Sequence, residues 1–300
     1  MAYIELLQQN PWLYYTVVFI LGLLVGSFLN VVIYRLPAML KRQWRHDCVQ
    51  FLKETNDPAL VPGTKLETAD TFNLTTPRSR CPHCNHQIRA WENIPVFSYL
   101  FLRGKCHECG HAISMRYPLI ELLSAMLVTV VAWKFGVTEQ AVLAIILTWV
   151  LVSLTFIDLD HQYLPDNITL PFLWLGLLAG LYSIFTDVSS SVWGAAAGYT
   201  VLWAVYILFK KLTGKEGMGF GDFKLLAMLG AWLGWQKLPA IIFMSSLVGA
   251  VVGITLIVFR RHQRGVPIPF GPYLAAAGWL VLLWGDDINS AYLQWAGLNY

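Results

Sequence analysis

The feature that most constrains this chain is how far apart its charges lie. Trp12–Tyr34 carries no charged residue from end to end, and about 20 apolar residues suffice to cross a bilayer. Further apolar runs follow at Tyr117–Trp133, Val137–Ile157, Ile168–Phe185, Val192–Phe209, Phe223–Trp235, Leu238–Phe259 and Phe270–Trp284. Over 300 residues only 13% are charged, against about a quarter in a soluble domain. That is too few to cover a water-facing surface. The 13 Trp and 13 Tyr supply amphipathic rings of the kind that gather at bilayer interfaces. These features exclude a disordered chain, a coiled coil and a disulfide-rich secreted domain. They predict an all-α polytopic membrane protein with the lipid bilayer as a partner. A net charge of +3 gives no reason to expect nucleic acid.

The basic residues set the number of crossings. Eight spans put residues 35–116, Lys210, Lys211, Lys215, Lys224, Arg260, Arg261 and Arg264 on one side, which is 19 of the 21 Lys and Arg. Only Lys134 and Lys237 fall on the other side. If the short Phe223–Trp235 run did not cross, the Arg260–Arg264 cluster would move to the opposite face. Cytoplasmic loops are enriched in Lys and Arg, so eight spans with both termini outside are expected. The expected division is a first transmembrane segment at 1–36, closed by Arg35 and Pro37, a cytoplasmic insert at 37–116 and a seven-helix membrane core at 117–300. Residues 1–11 have no basic region, so no cleaved signal peptide is expected. No internal repeat is evident, and 53–77 reads as a flexible polar excursion.

The cysteines describe a metal knuckle. Cys81-Pro-His-Cys84 and Cys106-His-Glu-Cys109 are separated by 21 residues. Two-residue spacing lets both thiolates of a pair reach one ion, and four thiolates complete a tetrahedral zinc site. A redox dithiol is the competing reading, and His83, His86, His107 and His111 are substitute ligands. A closed four-Cys site has no open position, so it is expected to support the insert and not to do chemistry. The insert has few large apolar runs, a weakness that metal compensates. Cys48 is isolated and reads as an ordinary thiol.

Acids near the membrane's inner edge are the first clue to catalysis, because an acid at membrane depth is costly. One group closes the third run, Thr155-Phe-Ile-Asp158-Leu-Asp160-His-Gln-Tyr-Leu-Pro-Asp166. The other opens the sixth, Gly217-Met-Gly219-Phe-Gly221-Asp222-Phe-Lys224. The topology places both at one depth on one side, so Asp158 and Asp222 are able to face each other. Two carboxylates brought together do not both ionise easily and share a proton. Such a pair has one base to activate water and one acid to protonate a carbonyl, which is aspartyl peptide hydrolysis. Gly219 and Gly221 would let a substrate strand approach closely. Loop acids, or an ion pair with Lys224, are the bland alternatives. Asp166 is expected to cap the next helix and Asp160 to be a solvated loop acid. Glu121, one turn after Pro118, suits helix capping as well as function. The spacings Gly22/Gly26 and Gly230/Gly234 predict close helix packing. On residues alone, a transporter or a zinc-sensing membrane protein stays open beside the peptidase.

Gly26-Ser-Phe-Leu-Asn-Val-Val-Ile-Tyr-Arg-Leu-Pro37, the paired Cys-x2-Cys, Arg116-Tyr-Pro-Leu-Ile-Glu121, Ile157-Asp-Leu-Asp-His161 and Gly219-Phe-Gly-Asp222 occur in this order. Together they resemble the bacterial prepilin peptidases, type IV leader peptidases of the Gly-x-Gly-Asp intramembrane aspartyl class. The resemblance covers nearly the whole chain. It implies an inner-membrane enzyme that cuts the basic leader from type IV prepilins or type II secretion pseudopilins, after a Gly, at the cytoplasmic face. It further implies N-methylation of the new N-terminus with S-adenosylmethionine, an activity of members that carry the cysteine-bearing insert. By motif position Asp158 and Asp222 match the catalytic pair, and Cys81, Cys84, Cys106 and Cys109 match the zinc cysteines. No residues are matched to the methyl donor.

Overall fold

The computed structural model describes residues 2–54, 72–260 and 269–295. Its regular elements are helices, with no β-strand among the described residues. In chain order they are α1 (Ala2–Gln9), α2 (Pro11–Glu54), α3 (Phe97–Phe101), α4 (Arg116–Phe135), α5 (Glu139–His161), α6 (Asp166–Leu181), α7 (Val188–Thr213), α8 (Phe220–Leu233), α9 (Leu238–Arg260) and α10 (Gly271–Trp295). The chain divides into two compact units, Val17–Met126 and Met1–Thr16 with Leu127–Tyr300. Most of the polar excursion expected at 53–77 lies outside the described residues.

Among the described residues five helices are long and apolar enough to cross a membrane, over Pro11–Leu52, Arg116–Phe135, Glu139–His161, Val188–Thr213 and Trp235–Thr255. Every apolar run of the sequence falls on a helix. Local signals set the ends. Thr138 caps α5 by accepting the Ala141 N–H at 3.1 Å, and Asp187 caps α7 through the Ser190 N–H at 2.9 Å. The helix of the first span continues past the expected end of that span: α2 runs through Pro37 to Glu54. Proline removes one N–H, but the residues beyond it are good helix formers, rich in Lys, Arg, Gln, Leu and Met. Leu40 and Val49 in that extension are buried. One missing hydrogen bond therefore does not end the helix.

In the larger unit, α8 is central and packs against α6, α7, α9 and α10. Its residues Phe223 and Leu225–Leu233 are all buried. At 14 residues it is about 21 Å long at 1.5 Å per residue, short against a hydrocarbon core of about 30 Å. It nevertheless joins the two ends of the unit. At its start Lys224 Nζ lies 2.7 Å from Asp166 of α6. Just past its end Gln236 donates to Ser190 Oγ of α7 at 2.9 Å. Beyond that end, Lys237 pairs with Asp286 at 3.0 Å and Lys134 with Asp287 at 3.2 Å. The two lysines that the charge count assigns to the outer side thus both find acids of α10. That helix bends at Trp284, immediately before them.

Glycine makes the packing of α8 possible. Gly194 of α7 lies so near α8 that an added Cβ would stand 2.2 Å from the Gly230 carbonyl oxygen and 3.0 Å from the Gly234 carbonyl carbon. The expected packing role of Gly230/Gly234 is therefore met, with Gly194 as the partner. Ser191 Oγ donates to the Ala231 carbonyl of α8, a polar tie of the kind that small-residue interfaces allow. Gly194→Ala should force the two backbones apart. Thermal unfolding of the detergent-solubilised protein should show a loss on the order of 3 kcal/mol, the upper range for overpacking. An unchanged melting curve would mean that this contact is slack.

Candidate active site and metal centre

Asp158 lies in the last turn of α5, where the helix's own carbonyl end disfavours an anion. Another helix corrects this. The Gly271 N–H, first in α10, donates to Asp158 Oδ2 at 3.0 Å. The approach tolerates only glycine, because a Cβ at Gly271 would stand 2.6 Å from the same oxygen. Asp222 is the third residue of α8, in its first turn, where the helix dipole favours an anion. Both carboxylates are therefore held at helix starts, and both are buried, at 5% and 8% exposure.

The two are brought together by the Tyr163-Leu164-Pro165 connection. Gln162 ends α5 in the left-handed conformation (φ 57°) and donates to the Asp158 carbonyl, turning the chain so that Leu164 is buried. The Leu164 side chain lies against both Gly221 and Gly271, neighbours of Asp222 and Asp158. The glycines divide the work expected of them. Gly221 gives room to Leu164, whereas nothing stands within 4 Å of an added Cβ at Gly219. One side of the Asp222 turn is therefore open for another chain to approach.

Other acids fall differently. Asp166 does not cap α6: it is the first helical residue after Pro165, and both its oxygens lie 2.7 Å from Lys224 Nζ. Lys224 thus serves Asp166 and not the catalytic candidates. Asp160 is exposed but helical, in α5 rather than a loop. Glu121 caps nothing on its own helix. Within its unit it is buried, bonds Ser27 and accepts the Val96 N–H at 2.7 Å. Val96 has φ 61° and ψ −49°, an uncommon conformation for a β-branched residue, and the Glu121 contact holds it. Gly26 packs against the Glu121 backbone, and the Gly22 carbonyl accepts from Ser124 Oγ at 2.8 Å. The Gly22/Gly26 face is therefore a close helix contact.

The four cysteines form one cluster, with all Sγ atoms within 4.8 Å of one another. Cys81–Cys109 and Cys84–Cys106 are each 3.9 Å apart, close to the spacing set by four thiolates at about 2.3 Å from one ion. The set fits a tetrahedral structural metal such as zinc. An internal repeat, contrary to expectation, builds it. Arg80–Ile88 and Lys105–Ile113 adopt the same turn. Cys81 N–H donates to His86 O as Cys106 N–H does to His111 O, and Asn85 and Gly110 both have positive φ and donate to the first cysteine of their pair. The repeat is short and its residues differ, so matching the letters does not reveal it. The histidines stand outside the cluster: His83 stacks on His111 at 4.7 Å and His86 Nε2 meets Glu92 Oε2 at 3.0 Å. Burial works against a charge on Glu92, but the Arg89 N–H and His86 hold its carboxyl below the usual range. Backbone hydrogen bonds from Cys84 and His83 bring the Cys81 thiol down to about 6. A backbone hydrogen bond from His86 favours the Cys84 thiolate, but burial and the thiols of Cys109, Cys81 and Cys106 push it up to about 12. Four thiols this close do not all ionise without a cation among them.

Two residues of the carboxylate site escape a reading of motifs, Gly271 and Leu164. Phe270-Gly-Pro272 signals a helix start in the sequence, but nothing local says whose carboxylate that start receives.

Comparison with known proteins places the chain among relatives of one family. Residues 20–135 match the model of the Bacterial Peptidase A24 N-terminal domain, and residues 145–254 match that of the Type IV leader peptidase family. A Stutzerimonas stutzeri protein is 54% identical over 99% of this chain and 100% of its own length. One from Aeromonas hydrophila is 54% identical over 97% of both chains, and one from Pseudomonas aeruginosa is 52% identical over 100% of both. Each of these relatives bears the name prepilin leader peptidase/N-methyltransferase. No solved structure matches the chain.

Cys106→Ser should lose bound metal. Elemental analysis of the purified protein is expected to fall from about one zinc per chain for a complete four-thiolate site to well below half. Full retention of zinc would remove Cys106 from the ligand set.

Proposed function

The chain belongs to the type IV leader peptidase family, and on that premise we propose that Asp158 and Asp222 are its catalytic pair. The enzyme removes the basic leader from type IV prepilins or pseudopilins after a Gly, and N-methylates the residue so exposed. The observation that carries the site assignment is the convergence of two buried carboxylates on Leu164, each at a helix start, beside the open face of Gly219. One carboxylate takes a proton from water. The resulting oxygen attacks the scissile carbonyl, whose oxygen the other carboxyl protonates. Collapse of the tetrahedral species returns a proton to the leaving amine, and the pair is reset for the next substrate.

In this reading all eight apolar helices cross the inner membrane, both termini lie outside, and the carboxylates lie at the cytoplasmic edge. The charge asymmetry supports it, and so does the placement of the starts of α6, α8 and α10 at one end of the larger unit, with Lys134, Lys237 and the acids of α10 at the other. A prepilin is a helix with a basic cytoplasmic leader, so its scissile bond would arrive at that edge. The segments are 1–36, the insert 37–116 and the core 117–300. Cys81, Cys84, Cys106 and Cys109 would hold a zinc ion that stiffens the insert. S-adenosylmethionine supplies the methyl group, and no residues are assigned to it. Neither a transporter nor a zinc sensor accounts for relatives alike over their full length that all carry a peptidase and methyltransferase name.

Cleavage of a purified prepilin, followed by mass spectrometry of the product N-terminus, tests the pair. Asp158→Asn and Asp222→Asn should each lower kcat by at least about 100-fold, the low end for a positioned acid or base. Normal cleavage by either variant sinks the assignment. Gly271→Ala should fold normally yet cost about 100-fold in kcat with little change in KM, as expected for a displacement on the order of 1 Å. A change in KM alone would make Gly271 a binding residue and not a positioning one.

A further inference from the structure

Away from the carboxylates and the thiol cluster, the Val17–Met126 unit has a second concave site. It is a pocket of about 340 Å³ lined by Arg35, Arg78, Arg89, Thr75 and Ser79, and no Asp or Glu is among the described residues that line it. Arg35 is only 8% exposed. Two of its N–H groups donate to the carbonyls of Asn73 at 3.0 Å and Pro77 at 2.7 Å, and its guanidinium lies 5.7 Å from the centre of the Phe72 ring. These partners hold the side chain but do not neutralise it. No carboxylate among the described residues pairs with any of the three arginines. A buried charge without a counter-charge is expensive, so the site calls for an anion.

The walls are preorganised. Asn73 Oδ1 accepts the N–H groups of Thr75 at 2.8 Å and Thr76 at 2.6 Å, which shapes the turn whose carbonyls grip Arg35. The Ile88 N–H donates to Ser79 O, and the Arg89 N–H to Glu92 at 2.8 Å. Arg35, Arg78 and Arg89 thus share one pocket. A guanidinium fork matches phosphate oxygens two at a time, and the Ser79 hydroxyl is a further donor, while that of Thr75 is committed to Asn73 Oδ1 at 2.8 Å.

We propose that this pocket seats the headgroup phosphate of an anionic phospholipid, pinning the unit to the bilayer surface. Depth supports a lipid source. Val31 and Arg35 lie one helical turn apart on α2, and Arg35 is the first charge after the uncharged run Trp12–Tyr34. That is where headgroups lie, and basic pockets beside spans are suited to them. Charge argues against the other ligands of the proposed enzyme. The methyl donor carries a sulfonium and an ammonium against one carboxylate, and a prepilin leader is basic, so three arginines with no acid among the described lining residues disfavour both. The proposal does not rest on the peptidase reading.

The test is native mass spectrometry of the full-length protein released from nanodiscs of phosphatidylglycerol or phosphatidylcholine. The wild type should retain phosphatidylglycerol preferentially. R78Q/R89Q, both exposed positions, should retain at least about tenfold less, since each charge-assisted hydrogen bond carries roughly that factor. K211Q/K215Q removes the same charge from exposed sites on α7 and its following turn and should retain lipid like the wild type. Normal leader cleavage by R78Q/R89Q in detergent confirms that it is folded. Equal retention by R78Q/R89Q, or equal loss in K211Q/K215Q, overturns the proposal. Thermal stabilisation by inorganic phosphate with no lipid retained overturns the lipid source. Loss of S-adenosylmethionine binding in R78Q/R89Q with lipid retained reassigns the pocket to the methyl donor and overturns it too.

Discussion

Two carboxylates buried at the edge of a helical bundle need backbone amides, and much of the larger unit is arranged to supply them. Asp222 has the start of its own helix to support it. Asp158 does not, because it closes α5 and faces the wrong end of that helix's dipole. It borrows the first N–H of α10, a helix that begins 113 residues later. The turn at Gln162, the burial of Leu164 and the bare Cα atoms of Gly221 and Gly271 all bring that distant N–H into reach. The site is therefore a property of α5, α8 and α10 together and not of either aspartate motif.

The same economy of space explains the short central helix. α8 is buried among its neighbours almost from end to end, so its length is not matched to lipid but to the protein around it. Gly194 and Gly230 let α7 approach until carbonyl oxygens, and not side chains, set the distance. Such contact is a source of cohesion where the solvent is as apolar as the helices and hydrophobic burial contributes little. It also holds Asp222 on a rigid element, as the proposed catalytic role requires.

The smaller unit solves a different problem. It has few buried apolar side chains and compensates with two copies of a knuckle that put four thiols within reach of one ion. In the same unit Glu121 accepts the N–H of a strained Val96. A buried acid that resembles a helix cap or a catalytic group in the sequence is in fact a clamp on a turn. Four thiols around one ion would leave it no open position, which suits a structural centre.

Much of this architecture is legible in the amino-acid sequence alone. Apolar runs of bilayer length locate every long helix, because hydrophobicity is a local property and lipid leaves no alternative to internal hydrogen bonding. The Cys-x2-Cys spacing locates the metal cluster, and motif order locates Asp158 and Asp222. Pro37 looks like a helix end, yet the helix-forming residues beyond it outweigh one lost hydrogen bond. The repeat of the two knuckles is invisible in the sequence because backbone turns, not letters, are what repeat. Asp166 looks like a cap because the sequence shows only its neighbours along the chain, and its actual partner, Lys224, is 58 residues away. The partnership of Asp158 with Gly271 is likewise the work of tertiary structure: a hydrogen bond has no signature along the chain when its donor lies on another helix.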